Sequence, residues 1–186
     1  MFSERLSFGG VALHLYGETP WQLSPACAPF RTEAAPAAHE IHLRLSDTMP
    51  PPPDGTPCSL RTYRWRTGAQ RHTLHDHVSD FTYAVTDGNS TELTVSTGYA
   101  GNLRTQLLLE AVDLFDILAE RGMLVLHSSY VLRKEGDAIL FSGASGIGKS
   151  TQAELWREFA SARVINGDRA LIDVDRGMGP GIFYSG

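Results

Sequence analysis

The sequence predicts a mixed α/β (α+β) protein, with a β-rich N-terminal region over residues 1–100 and, over residues 101–186, a connecting helix and a domain with a mixed sheet. Three observations predict it. Short runs of alternating apolar and polar residues, separated by turn residues, fill the first hundred positions, and a period of two is the signature of half-buried strands. A leucine-rich stripe at helical spacing follows. Beyond it the short apolar run Ala138-Ile139-Leu140-Phe141-Ser142 enters a glycine-rich loop, and the residues after the loop return to helical spacing.

The elements follow in chain order. Arg5 to Tyr16 alternates loosely around Gly9-Gly10, and Glu40 to Leu45 alternates cleanly, with Ile41, Leu43 and Leu45 on one face. Met49 to Pro57 is too rich in proline for regular structure and reads as an extended surface connection. Thr62-Tyr63-Arg64-Trp65-Arg66 alternates aromatic against basic. Val78–Val85 and Glu92–Val95 flank Asp87-Gly88-Asn89, a hairpin turn signal. The expectation is a mostly antiparallel meander packed on one face.

A single strong helix is expected next, with Asn102 as N-cap, an apolar stripe of Leu103, Leu107, Ala111, Leu114, Phe115 and Leu118, and Gly122 in the left-handed position at its end. Its expected role is to pack the β region against the domain that follows. Met123–Leu132 reads as an apolar strand carrying His127-Ser128-Ser129. Arg133 to Asp137 turns it back into the strand before the glycine loop, and so short a connection requires the two strands to be antiparallel. After the second helix, Arg163-Val164-Ile165 reads as a short strand, Asn166-Gly167-Asp168-Arg169 as a tight turn, and Ala170 to Val174 as another strand.

Composition narrows the field. The 186 residues suffice for one domain with a sizeable core or for two small ones, and 42% hydrophobic with 20% charged residues is ordinary for a globular chain. A net charge of −5 argues against a general binder of nucleic acid or membrane surfaces, which would need a basic face. Cys27 and Cys58 have no metal-ligand spacing; they read as free thiols of a reducing compartment, with a single disulfide as the alternative. Met1-Phe2-Ser3-Glu4-Arg5 carries an acid and no apolar run follows, so no secretory signal is expected, no stretch has the apolar length of a membrane span, and the cytoplasm is the default location.

Gly143-Ala144-Ser145-Gly146-Ile147-Gly148-Lys149-Ser150-Thr151 fits G-x-x-x-x-G-K-[ST], with a strand before it and a helix after it. The residue types suit phosphate. Glycines let successive backbone N–H groups turn inward to cradle anionic oxygens, and the N-terminus of the following helix favours negative charge. Lys149 would reach the β- and γ-phosphates, and the Ser150 hydroxyl would sit on Mg²⁺. The ligand expected is ATP with Mg²⁺, although no base-recognition motif separates adenine from guanine. Asp168 lies only 19 residues beyond Lys149, where a helix and a returning strand bring it back beside the loop, to coordinate Mg²⁺ or to accept a proton from an attacking hydroxyl.

Leu126-His127-Ser128-Ser129, Phe141-Ser142-Gly143 through Thr151, and Asn166-Gly167-Asp168-Arg169 together resemble, in order and spacing, the HPr kinase/phosphorylase fold, which is related to the nucleotide domain of phosphoenolpyruvate carboxykinase. More narrowly the chain resembles the HPr-kinase-like proteins of gene clusters for peptide natural products such as lasso peptides. The likeness covers residues 124–175. It implies an ATP-dependent phosphotransferase acting on a hydroxyl, with a serine of a small protein or peptide as acceptor. Two departures stand out. That family carries two adjacent aspartates where this chain has Gly167-Asp168, so that one carboxylate serves both metal and hydroxyl or Asn166 assists. The family's fold also continues well past Gly186, as if this chain were a C-terminally truncated form.

On this reading Asp168, His127 and Lys149 are the catalytic candidates, Gly143 to Thr151 hold the nucleotide, and Ser150 and Asp168 hold Mg²⁺. His127 is otherwise a satisfied core histidine of an apolar strand. His72, His75 and His77 suggest a metal cluster, but a solvated strand surface explains them better. Trp65 between Arg64 and Arg66 has a stacking reading and a simpler one as a half-buried strand residue, and Asp173 and Asp175 alternate on one strand face, which surface positions explain equally well. The alternative function is a non-catalytic, nucleotide-dependent module that binds a peptide or partner enzyme through the β region. Neither nucleic acid nor membrane is an expected partner; the oligomeric state is left open by the sequence.

Overall fold

The computed structural model describes residues 2–18, 21, 23–33, 36–51, 61–174 and 177–178. By its contacts the chain forms two compact units, Met1–Ile117 and Leu118–Gly186. Together they make a mixed α/β protein with few helices.

The first unit is built on a seven-stranded sheet of β1 (Phe2–Phe8), β2 (Val11–Gly17), β3 (His39–Ser46), β4 (Thr62–Thr67), β5 (Gln70–Asp76), β6 (Phe81–Asp87) and β7 (Ser90–Ser96), in the order β1-β2-β3-β7-β6-β5-β4. Hairpins explain most of it. Gly9-Gly10 turns β1 into β2 with both φ angles positive, and Gly88, also at positive φ, closes β6 onto β7. The expected antiparallel meander is present from β4 to β7, but β3 corrects it: this strand runs parallel to both β2 and β7. Long connections on either side of β3 allow the chain to re-enter the sheet in the parallel sense, which a hairpin turn forbids. β5 is a strand of its own that simple alternation misses, because His72, Thr73 and Leu74 are buried in succession and erase the period of two. The inner face carries Leu13, Leu15, Ile41, Leu43, Leu93 and Val95, all at most 1% exposed. Leu45, expected on that face, is exposed near the strand end.

The expected single helix is also corrected. After a single turn, α1 (Thr97–Ala100), that precedes the expected start, the stretch is two short pieces, α2 (Thr105–Ala111) and α3 (Leu114–Ala119). Asp113 breaks the ladder with φ +52, a left-handed conformation that no helix continues through. Asn102 therefore caps nothing; Arg104 stands at the N-cap position of α2, and the phase change leaves Phe115 41% exposed. Gly122 does adopt the expected left-handed conformation, φ +73.

The second unit is arranged around β8 (Met123–Leu132). β9 (Ala138–Ser142) pairs antiparallel with it, as the short Arg133–Asp137 connection requires, and Arg133 N–H closes that turn on Asp137 O at 2.8 Å. α4 (Lys149–Ala160) follows the glycine loop, then β10 (Arg163–Asn166), β11 (Arg169–Asp173) and β12 (Gly177–Met178). Asn166–Arg169 is not the chain reversal expected. β10 and β11 both pair antiparallel with β8 and form one nearly continuous edge: the register shifts at a bulge between Val164 and Asn166, is then kept from Asn166 opposite Tyr130 to Arg169 opposite His127, and Gly167-Asp168 form a bend between the two strands. α4 lays Ala153 and part of Trp156 on Val131, Ile139, Phe141 and Val164. Among the described residues no helix is long and apolar enough to cross a membrane.

Candidate functional site

Strand pairing in the second unit brings distant residues into one row. Ser128 lies opposite Ser142 of β9 on one side, and its N–H donates to Asp168 O at 2.9 Å on the other. His127 precedes Ser128, and the glycine loop begins one residue after Ser142. Asp168 in the bend between β10 and β11, the histidine of the central strand and the mouth of the loop thus lie across three adjacent strands, which repeat at about 4.8 Å. Ser142 Oγ donates to His127 O at 3.1 Å and ties the loop's first anchor to that strand.

The loop has the conformation its glycines permit. Gly146 and Gly148 sit at φ +81 and +98, where a side chain would be strained, and a Cβ on either would meet nothing within 4 Å. Their role is therefore conformational: they leave the concave side of the backbone open. Gly148 stands at the N-cap of α4 without a side-chain cap, so the first N–H groups of that helix are not satisfied by its cap residue. Ala144, Ser145 and Ile147 are exposed along the loop, and Ser150 and Thr151 are exposed in the first turn of α4. Lys149 Nζ donates to Gly143 O at 3.0 Å and Ala144 O at 3.2 Å, so the ammonium is folded over its own loop.

His127 is exposed, which removes the core-histidine alternative. Its Nδ1 lies 3.4 Å from Asp168 Oδ1, while Asp168 Oδ2 lies 3.4 Å from Arg169 Nε. Both side chains of the first pair are more than half open to solvent or at half, 57% and 50%, so the contact orients groups rather than stabilising the fold. Beneath them the backbone is closely held. Asn166 Oδ1 accepts the N–H of Asp168 at 2.7 Å and of Arg169 at 3.0 Å, and Ser129 Oγ donates to Gly167 O at 3.1 Å. These two supports were not found by sequence reasoning. The available signal was Asn166 two residues before the amide it accepts, the spacing of an Asx turn.

The other candidates disperse. His72 is stacked on Trp65 with ring centroids 4.9 Å apart, and its Nδ1 is 2.8 Å from the Tyr83 hydroxyl, so both rings belong to a packed sheet surface. His75 stacks on His77 at 6.3 Å. Among the described residues no group of three His, Cys, Asp or Glu side chains could hold a metal ion. Asp173 ends β11; Asp175 and Cys58 lie outside the described residues, and Cys27 is a buried free thiol whose burial pushes its pKa up. Mg²⁺ bound with a nucleotide asks less of the protein than such a group, because it commonly takes one or two protein ligands and completes its shell with phosphates and water. Ser150 and Asp168 fit that donor set by type.

Compared with known proteins, the sequence matches no family model, and no curated protein is similar to it. The family resemblance therefore stands on the three quoted stretches alone.

Proposed function

We propose that the second unit binds ATP with Mg²⁺ and that the protein is an HPr-kinase-like phosphotransferase, transferring the γ-phosphate to a hydroxyl on a protein or peptide. The observation that carries this is the loop itself: two left-handed glycines, an open concave backbone and Lys149 at the head of a 12-residue helix, with His127 and Asp168 held one and two strands away. Loop N–H groups and Lys149 would hold the phosphates, and Lys149 is free to do so once it exchanges two carbonyl contacts for anionic oxygens, which bind an ammonium more strongly. Ser150 and Asp168 would hold Mg²⁺, which when bound neutralises charge on the transferring group. The Asp168 carboxylate, with His127 against one oxygen, would orient the acceptor hydroxyl and take its proton. The reading places the protein in the cytoplasm, where ATP and Mg²⁺ are available.

A second reading, a nucleotide-dependent module without chemistry that binds a peptide or partner enzyme, is favoured by one observation: Gly167 stands where the resembled kinases carry a further aspartate, which leaves a single carboxylate at the turn. Calorimetric titration with ATP, with and without Mg²⁺, separates these readings from none at all. Binding should be assisted by Mg²⁺ and lost in Lys149→Ala with the fold intact by circular dichroism; equal binding by wild type and variant would remove the loop from both readings. Mg²⁺-dependent turnover of the bound nucleotide then distinguishes the kinase from the module.

A further inference from the structure

We propose that Asn166 is a positioning residue for Asp168: its buried carboxamide holds the Asx turn at Gly167-Asp168 that presents the Asp168 carboxylate beside His127. The inference rests on the nucleotide reading above. Asn166 is only 9% exposed, and its Oδ1 accepts from two consecutive amides, Asp168 N–H and Arg169 N–H. Both lone pairs of that oxygen are engaged, so it is not the atom to replace the absent second aspartate as a metal ligand.

The shape of the Asn166–Arg169 turn does not come from the glycine within it. Gly167 has no left-handed φ, and a Cβ built on it meets nothing within 4 Å. What keeps the chain off the regular ladder is the side chain before it. Asn166 draws two N–H groups inward, while Ser128 N–H holds Asp168 O and Ser129 Oγ holds Gly167 O from the neighbouring strand. Four hydrogen bonds therefore fix the backbone on either side of Asp168 and leave its carboxylate half exposed. Without the Asn166 oxygen two N–H groups lose their acceptor, and the Asx turn is free to relax into a conformation that turns the carboxylate away.

The test compares Asn166→Ala, Asn166→Asp, which keeps an acceptor oxygen, and Asp168→Ala, by ATP titration with and without Mg²⁺ and by amide hydrogen exchange. Asn166→Ala should bind ATP alone as wild type does, lose about 10- to 100-fold of the Mg²⁺-assisted affinity, and lose little more when Asp168→Ala is added. Asn166→Asp should retain most of that affinity. Exchange at the Asp168 and Arg169 amides should quicken in Asn166→Ala and not in Asn166→Asp. If Asn166→Ala does not fold, Ser129→Ala loosens the same turn from the other strand and should show the same selective loss. Full Mg²⁺ assistance in a folded Asn166→Ala chain, a loss additive with Asp168→Ala, or unchanged exchange at the two amides each overturns the positioning role. A wild-type chain that binds no ATP overturns the nucleotide reading and this role with it, and the amide exchange would still report whether Asn166 pins the turn.

Discussion

His72 shows how a residue can look functional and prove structural. It is 9% exposed, flat against Trp65, with Nδ1 on the Tyr83 hydroxyl, and burial pushes its pKa below the ordinary histidine value. His75 is shifted the same way, mainly by burial, with His77 and Arg64 adding to the effect and Asp113 and Glu110 opposing it. Well above the ordinary histidine value of about 6.5 both rings are neutral whether the chain is folded or not, so they add no pH dependence there. As the pH falls below that value the unfolded chain takes up protons that the folded chain refuses, and stability declines until the lowered folded-state values are passed. Urea denaturation should therefore show a lower midpoint at pH 5.5 than at pH 7.5, and His72→Phe, which keeps a ring in the stack, should reduce that difference; an unchanged difference would exclude His72 as a source. The loop residues were legible in the sequence because their chemistry is local: glycine conformations, a lysine and a hydroxyl at consecutive positions. Asn166 was not, since its function depends on burial and on the amides it reaches.

At the scale of elements, one residue decides the helical segment. The stripe from Leu103 to Leu118 reads as continuous, and nothing in its periodicity announces a break at Asp113. The reason lies elsewhere in the fold: the Asp113 carboxylate is held by Thr73 Oγ1 and, at 2.9 Å, by an Arg64 guanidinium N–H, both on strands of the first sheet. Its carbonyl accepts the N–H groups of Asp116 at 2.9 Å and Ile117 at 3.1 Å, which starts α3. Tertiary bonds thus outweigh a helical preference of a few tenths of a kcal/mol per residue. Asp113→Ala removes both side-chain partners, leaves buried Thr73 without that acceptor and keeps a Cβ residue in a left-handed conformation. A loss of about 2 kcal/mol in chemical denaturation is expected, with Asp113→Asn losing less; an Asp113→Ala chain as stable as wild type would mean that the break is set by the chain around it. The parallel entry of β3 was illegible for a related reason, because its partners are chosen across long connections. β8 and β9 were legible because a five-residue connection leaves one geometry.

For the whole molecule, the two units differ in how much they bury, and their stability should differ accordingly. Of the largest fully buried side chains among the described residues, Leu6, Leu13, Leu15, Ile41, Leu43, Leu74, Leu93, Leu108 and Ile117 belong to the first unit, and only Leu118 and Leu171 to the second. Around α4 the buried residues of the second unit are Val131 and the small Ala153 and Ala162, while Leu155 and Phe159 of that helix are exposed. Less apolar area removed from water means a smaller free energy of opening, at roughly 25 cal/mol for each Å². Native-state hydrogen exchange should then find the slowest amides in the central strands β3, β7 and β6, and faster exchange through β8 to β11. A ligand that binds only the closed second unit raises its protection in proportion to occupancy, by about 2.7 kcal/mol at a hundred times its dissociation constant. Under the nucleotide reading, ATP with Mg²⁺ should slow exchange in β8 to β11 and α4 while leaving β3, β6 and β7 unchanged. Equal slowing in both sheets would show instead that the chain opens as a single cooperative body, and slowing in neither would leave the loop without its ligand.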